Sequence, residues 1–198
     1  MTIRLISFYC PKGGVGKTTV SKNFAIYLSL VKKKKVLFLD LDRQRHIIQA
    51  SEKHGDWPFP VLDKIPSTFD GYDFVVSDIS PKGVKELNTE QTRMLEHSDV
   101  VVSPFEADED NITSLVDVFN VKTKGTIKPL LNRFKRSEKL HKEAIKKIKD
   151  CFVLNNRTAY PNCSGANSIF FKNPYSKPLS DARFEFKALS EQILGLIK

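Results

Sequence analysis

Lys12, Gly13, Gly14, Val15, Gly16, Lys17, Thr18 and Thr19 form a run whose residue types and spacing suit phosphate chemistry. Closely spaced glycines let backbone N–H groups curl around phosphate oxygens. A lysine directly after the last glycine reaches the outer phosphates, and the next hydroxyl can bind Mg²⁺. Two sets of carboxylates follow. Asp40 and Asp42 lie two residues apart, a spacing that points both to one side of a strand end, where they can hold metal-bound water and orient an attacking water. Asp78 closes the apolar run of residues 72–79, with Pro81 three residues on, and a carboxylate in that position can hold a water of Mg²⁺.

The elements around these residues read as alternating strands and helices. The apolar run of residues 3–10 leads into the glycines, and residues 20–31 follow with helical character, so the glycines fall where a strand turns into a helix. Strands are expected at 36–39, 72–79, 99–104, 127–131 and 151–154. Between them, helices are expected at 45–55, 85–96, 108–120 and 136–149, with a closing helix carrying Ala182, Phe186, Leu189, Ile193 and Leu196 on one face. Asp108 to Asp110 suits an N-cap, and Ile112, Leu115, Val116 and Phe119 keep helical spacing behind it. Pro129 makes the strand at 127–131 imperfect, because it removes a ladder donor. Such alternation predicts an α/β fold: a mostly parallel twisted sheet flanked by helices on both faces, in a single domain over residues 1–198.

The loop departs from the common Gly-x-x-x-x-Gly-Lys-Ser/Thr pattern, with Pro11 at the first glycine position and an extra lysine at 12. In this form Lys-Gly-Gly-Val-Gly-Lys-Thr-Thr resembles the deviant Walker A box of the ParA/MinD family of P-loop ATPases. The resemblance implies that ATP and Mg²⁺ bind at residues 12–19 and that Lys12 reaches across a homodimer to the partner's phosphates. Asp40-Leu41-Asp42-Arg43-Gln44 is similar to the family's Asp-x-Asp-Pro-Gln motif, which assigns Asp42 to the attacking water and Asp40 to a supporting place near Mg²⁺. Arg43 stands in place of the motif's proline, and Arg45 in place of a small residue, which alters the loop but not the carboxylates. The resemblance further implies that Asp78 and Thr18 serve Mg²⁺, that Lys17 serves its own subunit's phosphates and that Asn132 lies at the adenine. Arg157, the turn from Gly165 to Ile169, Pro174, and Ser176-Lys177 match the family's C-terminal third, so the similarity extends over nearly the whole chain.

Composition narrows the class. No apolar run approaches the roughly 20 residues of a membrane span, and the first residues lack a signal pattern, which predicts a cytoplasmic protein. Cys10, Cys151 and Cys163 have neither the spacing of a zinc site nor an even number for a disulfide framework, and Cys10 and Cys151 read as core residues. Trp57 reads as a packing residue. Lysine and arginine number 32 against 23 acids, a formal net charge of +9, which favours a polyanionic partner.

The expected function is accordingly that of a small ParA-type partition ATPase. Its ATP-bound homodimer would coat nonspecific DNA, in association with the nucleoid, and leave it when a ParB-like centromere-binding protein stimulates hydrolysis. DNA contacts are expected at Arg157 by family position and at Lys172, Lys177 and Arg183 by clustering, with Lys146, Lys147 and Lys149 behind them. With the phosphate loop beginning at residue 11, specific operator binding, which larger relatives achieve through an N-terminal helix-turn-helix, is not expected. Three other readings compete. A MinD-like membrane positioner calls for a basic amphipathic C-terminal helix, and residues 192–198 are short and weakly basic for that role. A nitrogenase-iron-protein-like reductase calls for cluster cysteines that Cys151 and Cys163 do not match in position. A regulatory nucleotide-binding module remains open if the altered loop at Arg43 cannot position water.

Overall fold

The computed structural model describes residues 2–54, 57–163, 167–171 and 177–197. Seven strands form one sheet: β1 (Arg4–Phe8), β2 (Val36–Leu41), β3 (Val61–Leu62), β4 (Phe74–Ile79), β5 (Val100–Phe105), β6 (Thr126–Phe134) and β7 (Phe152–Asn155). Their spatial order is β3-β2-β4-β1-β5-β6-β7, with every described pairing parallel. Among the described residues six α-helices alternate with them: α1 (Lys17–Ile26), α2 (His46–His54), α3 (Thr89–His97), α4 (Glu109–Phe119), α5 (Lys139–Lys147) and α6 (Lys177–Leu194).

Strand side chains alternate between two cores, as a period of two demands. Ile6, Phe8, Val36, Phe38 and Val76 pack with Phe24, Ile47, Phe186, Leu189 and Ile193, from α1, α2 and α6. Leu5, Tyr9, Leu37, Leu39 and Val75 pack on the other face with Met94, Leu95, Leu115, Val118 and Ala144, from α3, α4 and α5. Strands covered on both faces must be apolar almost throughout, which is why β2, VLFLDL, is buried along its whole length and Asp40 is buried with it.

Two expectations are adjusted. The helix expected at 85–96 starts only at Thr89, after a short 3₁₀ turn at Val84–Glu86. Asn88 sets that start by a capping box: its Oδ1 accepts from the Gln91 N–H at 2.8 Å, and Gln91 Oε1 accepts from the Asn88 N–H at 3.1 Å. On α4, where Asp108 does cap the helix, Leu115 and Val118 turn inward while Val116 and Phe119 are 61% and 51% exposed. The apolar spacing there thus includes residues outside the packed stripe. Helix α1 continues as a π-helical turn over Tyr27–Val31, and Lys33 takes a left-handed conformation where the exposed lysine run begins. Pro129 sits in β6 beside Ser103 of β5, one residue ahead of the first β6–β7 pair, Leu130 with Phe152. Cys10 is buried, Cys151 is half-buried against the second core, and Trp57 meets Phe59 edge-on with ring centroids 5.7 Å apart. Among the described residues, no helix is long and apolar enough to cross a membrane.

Candidate nucleotide-binding site

The glycine run leaves β1, the central strand, and enters α1 at the C-terminal edge of the sheet. Gly14 and Gly16 have φ of +78° and +92°, left-handed backbone that glycine adopts without penalty. At Gly16, which caps α1, a Cβ would stand 2.3 Å from Asn132 Nδ2. That amide approaches so closely because it donates to the Val15 carbonyl at 2.8 Å, tying the end of β6 to the loop. Asn132 therefore lies at the expected place in the sheet, but its amide group is bonded to the loop itself and its Oδ1 accepts from the Arg133 N–H.

Lys17 is buried at the head of α1 and donates to the Lys12 carbonyl at 2.8 Å. Burial pushes its ammonium below the ordinary value, against the pull of Asp78, Cys10 and Asp42. The Lys12 side chain is half-exposed and reaches Asp110, in the first turn of α4, at 3.6 Å.

Asp40 and Asp78 are register partners on β2 and β4, so both project on the α1 and α2 side of the sheet. Asp78 is fully buried, and burial, followed by repulsion from Asp40 and Asp42, pushes its carboxyl up to about 7. The nearby Thr18 hydroxyl and Lys17 work against that rise. Among the described residues, neither Asp78 oxygen is in hydrogen-bond geometry with a partner. Asp40 is also pushed up by burial, but its Oδ2 accepts from the Ile47 and Ile48 N–H groups at 2.9 and 3.0 Å. It therefore satisfies the first turn of α2, while its Oδ1 has no partner.

Asp42 stands just beyond the strand, half-exposed, with Oδ1 accepting from the Gln44 N–H at 3.0 Å. The altered loop is held at several points. The Arg43 N–H donates to Ser80 Oγ, Ser80 Oγ and Gln91 Nε2 both donate to the Leu41 carbonyl, and the Arg45 guanidinium binds Asp63. Arg45 takes a left-handed conformation, φ 51°, with its N–H on the Asp42 carbonyl.

Three buried carboxylate oxygens without partners, beside a lysine and a threonine hydroxyl, fit a hydrated Mg²⁺. Among the described residues no three His, Cys, Asp or Glu side chains converge as a self-contained metal site. The donor set thus suits an ion that takes its remaining ligands from water and phosphate.

A cleft beside the loop is lined by Gly16, Thr19, Asn132, Asn155, Arg157 and Tyr160, among others. Arg157 and Arg183, at which DNA contacts are expected, both have partners within the chain. Arg157 is not displayed on a free surface: its Nε donates to Glu185 at 2.5 Å and its Nη1 lies 3.8 Å from Asp181, both on α6. Arg183 turns inward as well, with Nε and Nη2 donating to the Ile169 carbonyl at 3.0 and 2.7 Å. Lys177 is exposed at the start of α6, as are Lys146, Lys147 and Lys149 at and beyond the end of α5. Lys172, Gly165, Pro174 and Ser176 lie outside the described residues. Ser80, Gln91 and Glu185 each act through a tertiary contact that leaves no local pattern in the sequence, Glu185 being one acid among several on α6.

The profile of the CobQ/CobB/MinD/ParA nucleotide binding domain matches residues 6–161. A 43-residue segment is 54% identical to an uncharacterized protein of Borreliella burgdorferi, and that segment spans 22% of this chain and 17% of that protein. Among solved structures, a Borrelia burgdorferi B31 protein described as a plasmid partition protein and bound to AMPPNP superposes with a TM-score of 0.70 at 20% identity, covering 97% of this chain and 100% of that one. A Cyanothece McdA variant in complex with ATP gives 0.68 at 13% identity, with 99% and 98% covered. The pNOB8 ParA bound to nonspecific DNA gives 0.58 at 17% identity, with 99% of each chain covered.

Proposed function

The chain belongs to the CobQ/CobB/MinD/ParA nucleotide-binding domain family, and from that premise we propose that it is a Mg²⁺-dependent ATP hydrolase of the small partition type. One observation carries the hydrolase reading: Lys17 and Asp78 are buried together under a glycine loop, with both Asp78 oxygens unpartnered. Burying a lone carboxylate is costly, and such an arrangement is retained where a bound group completes it.

In this reading the backbone of Gly13, Gly14, Val15 and Gly16 and the side chains of Thr18 and Thr19 cradle the phosphates. Lys17 neutralises those of its own subunit. Lys12, close to the surface and held among the described residues only by an exposed aspartate, would exchange that partner for the phosphates of a second subunit in a nucleotide-sandwich homodimer. Thr18 and Asp78, with Asp40 Oδ1 beside them, would hold Mg²⁺, chiefly through water, and the ion would supply neutralisation of phosphate charge. Asp42 orients the attacking water from a loop that Ser80, Gln91 and the Asp40 cap keep in place. Asn132 fixes the loop from below and borders the base.

The net charge of +9 and the exposed Lys146, Lys147, Lys149 and Lys177 support nonspecific DNA as the surface on which the ATP-bound dimer assembles. The likeness to a ParA bound to nonspecific DNA agrees with that reading. A ParB-like centromere-binding protein is the partner proposed to stimulate hydrolysis, with the protein cytoplasmic and associated with the nucleoid. The test is phosphate release from ATP by the purified chain, with and without Mg²⁺ and with and without random-sequence DNA. Hydrolysis that needs Mg²⁺ and responds to DNA is expected; binding of ATP with no turnover under any of these conditions would favour a regulatory module instead.

A further inference from the structure

Glu185 lies on α6, beside the core residues Ala182, Phe186 and Leu189, with its side chain only 14% exposed. It draws together the end of β7 and the loop after it. Its Oε1 accepts from the Asn155 N–H at 2.6 Å and from the Asn155 side-chain amide, and its Oε2 accepts from Arg157 Nε at 2.5 Å and from the Tyr160 hydroxyl at 3.3 Å. Asp181, one turn earlier, adds a second carboxylate 3.8 Å from Arg157 Nη1. The three residues that Glu185 binds line the same cleft as Gly16 and Thr19 of the phosphate loop and α1.

Two physical consequences follow. A guanidinium hydrogen-bonded at Nε and drawn at Nη1 toward a second carboxylate is restrained in its plane, and the face of such a plane can stack on a flat aromatic group, a role lysine cannot fill. Secondly, two carboxylates around one guanidinium leave this spot with excess negative charge, which disfavours a DNA phosphate. We propose that Arg157 forms a wall of the nucleotide's purine-base site and that Glu185 is the residue that positions it, so that Arg157 serves the base and not DNA. The proposal rests on the nucleotide reading above and adds to it a base contact tied to the C-terminal helix.

The test compares two ligands that share phosphates and differ in the base. Titration calorimetry of the full chain with ATP and with inorganic tripolyphosphate, each with Mg²⁺, separates the two contributions. Glu185→Gln and Arg157→Gln should each weaken ATP about 10-fold while leaving tripolyphosphate unchanged. Arg157→Lys should not restore ATP affinity, since it returns the charge without the plane. Thermal melting checks that each variant is folded, and either Arg157 variant decides the matter if Glu185→Gln melts early. Equal losses for both ligands would mean a merely structural role and overturn the proposal. So would unchanged ATP affinity, or a loss confined to DNA binding. A wild-type chain that binds neither ligand would instead overturn the nucleotide reading itself.

Discussion

Asp40 and Asp78 face each other in register on adjacent parallel strands, and Asp40 accepts from the backbone N–H groups that open α2 whereas Asp78, with the Thr18 hydroxyl nearby, has neither oxygen in hydrogen-bond geometry among the described residues. The pair thus divides into a carboxylate that builds the loop after β2 and one left bare.

The bare one sets a pH dependence. The Asp78 carboxyl sits at about 7 in the fold against 3.8 as its ordinary value. Between those values the folded chain keeps a proton that the unfolded chain has released, so stability of the nucleotide-free protein falls as pH rises from about 4 to about 7, by up to about 1.4 kcal/mol per unit from this group. Asp78→Asn should remove that component. Chemical denaturation of both proteins from pH 5 to 8 should show the variant gaining on the wild type as pH rises; a constant difference would refute the buried-charge account.

Lys17 and Lys12 should separate by variant. Lys17→Ala is expected to abolish ATP binding, because the buried ammonium under the loop is removed. Lys12→Ala should keep ATP binding but lose the dimer and hydrolysis; its pairing with exposed Asp110 contributes little to folding, so the melting temperature should hardly move. Sedimentation with ATP decides, and a normal Lys12→Ala dimer would remove the trans role.

Asp42→Ala should slow hydrolysis by about 10²-fold or more while ATP affinity is kept, since a water-orienting carboxylate acts on the chemical step. The ATP dimer should then persist in size-exclusion runs. Turnover at the wild-type rate would make Asp42 a loop-shaping residue only, through its bond to Gln44.

Gly16→Ala meets two obstacles, a left-handed φ that costs an L-residue about 1–2 kcal/mol and the Asn132 amide 2.3 Å from the new Cβ. Asn132→Ala removes only the second. In denaturant titrations the double variant should be more stable than the sum of the single losses allows, by about 1 kcal/mol or more; strict additivity would mean that the loop moves aside at no cost.

For DNA, reversing Lys146, Lys147 and Lys149 to glutamate should weaken all sequences alike and make the log-log salt slope shallower by about 0.9 for each phosphate that is no longer neutralised. Nucleotide affinity should be unchanged, because these side chains are exposed at and beyond the end of α5. Binding insensitive to both salt and these reversals would move the DNA face elsewhere.

The sheet, the loop and the three aspartates are readable because each depends on neighbours in sequence: apolar runs that end in acids, and glycines between a strand and a helix. What stays hidden depends on distance along the chain. Nothing local to Asp40 announces that it will cap a helix seven residues on, and Arg157 reads as a free cation until Glu185, 28 residues later, is placed beside it. Val116 and Phe119 show the same limit, since helical spacing alone does not say which side of α4 meets the sheet.

The two ends of the sheet are unequal to the task of recruiting another chain. β3 offers two residues and β7 four, and an outer strand that short presents too few unpaired backbone groups to template further strand addition. Backbone ladders are thereby a poor route to joining one copy of this chain to another, and contacts between side-chain surfaces are the route that the sheet leaves open.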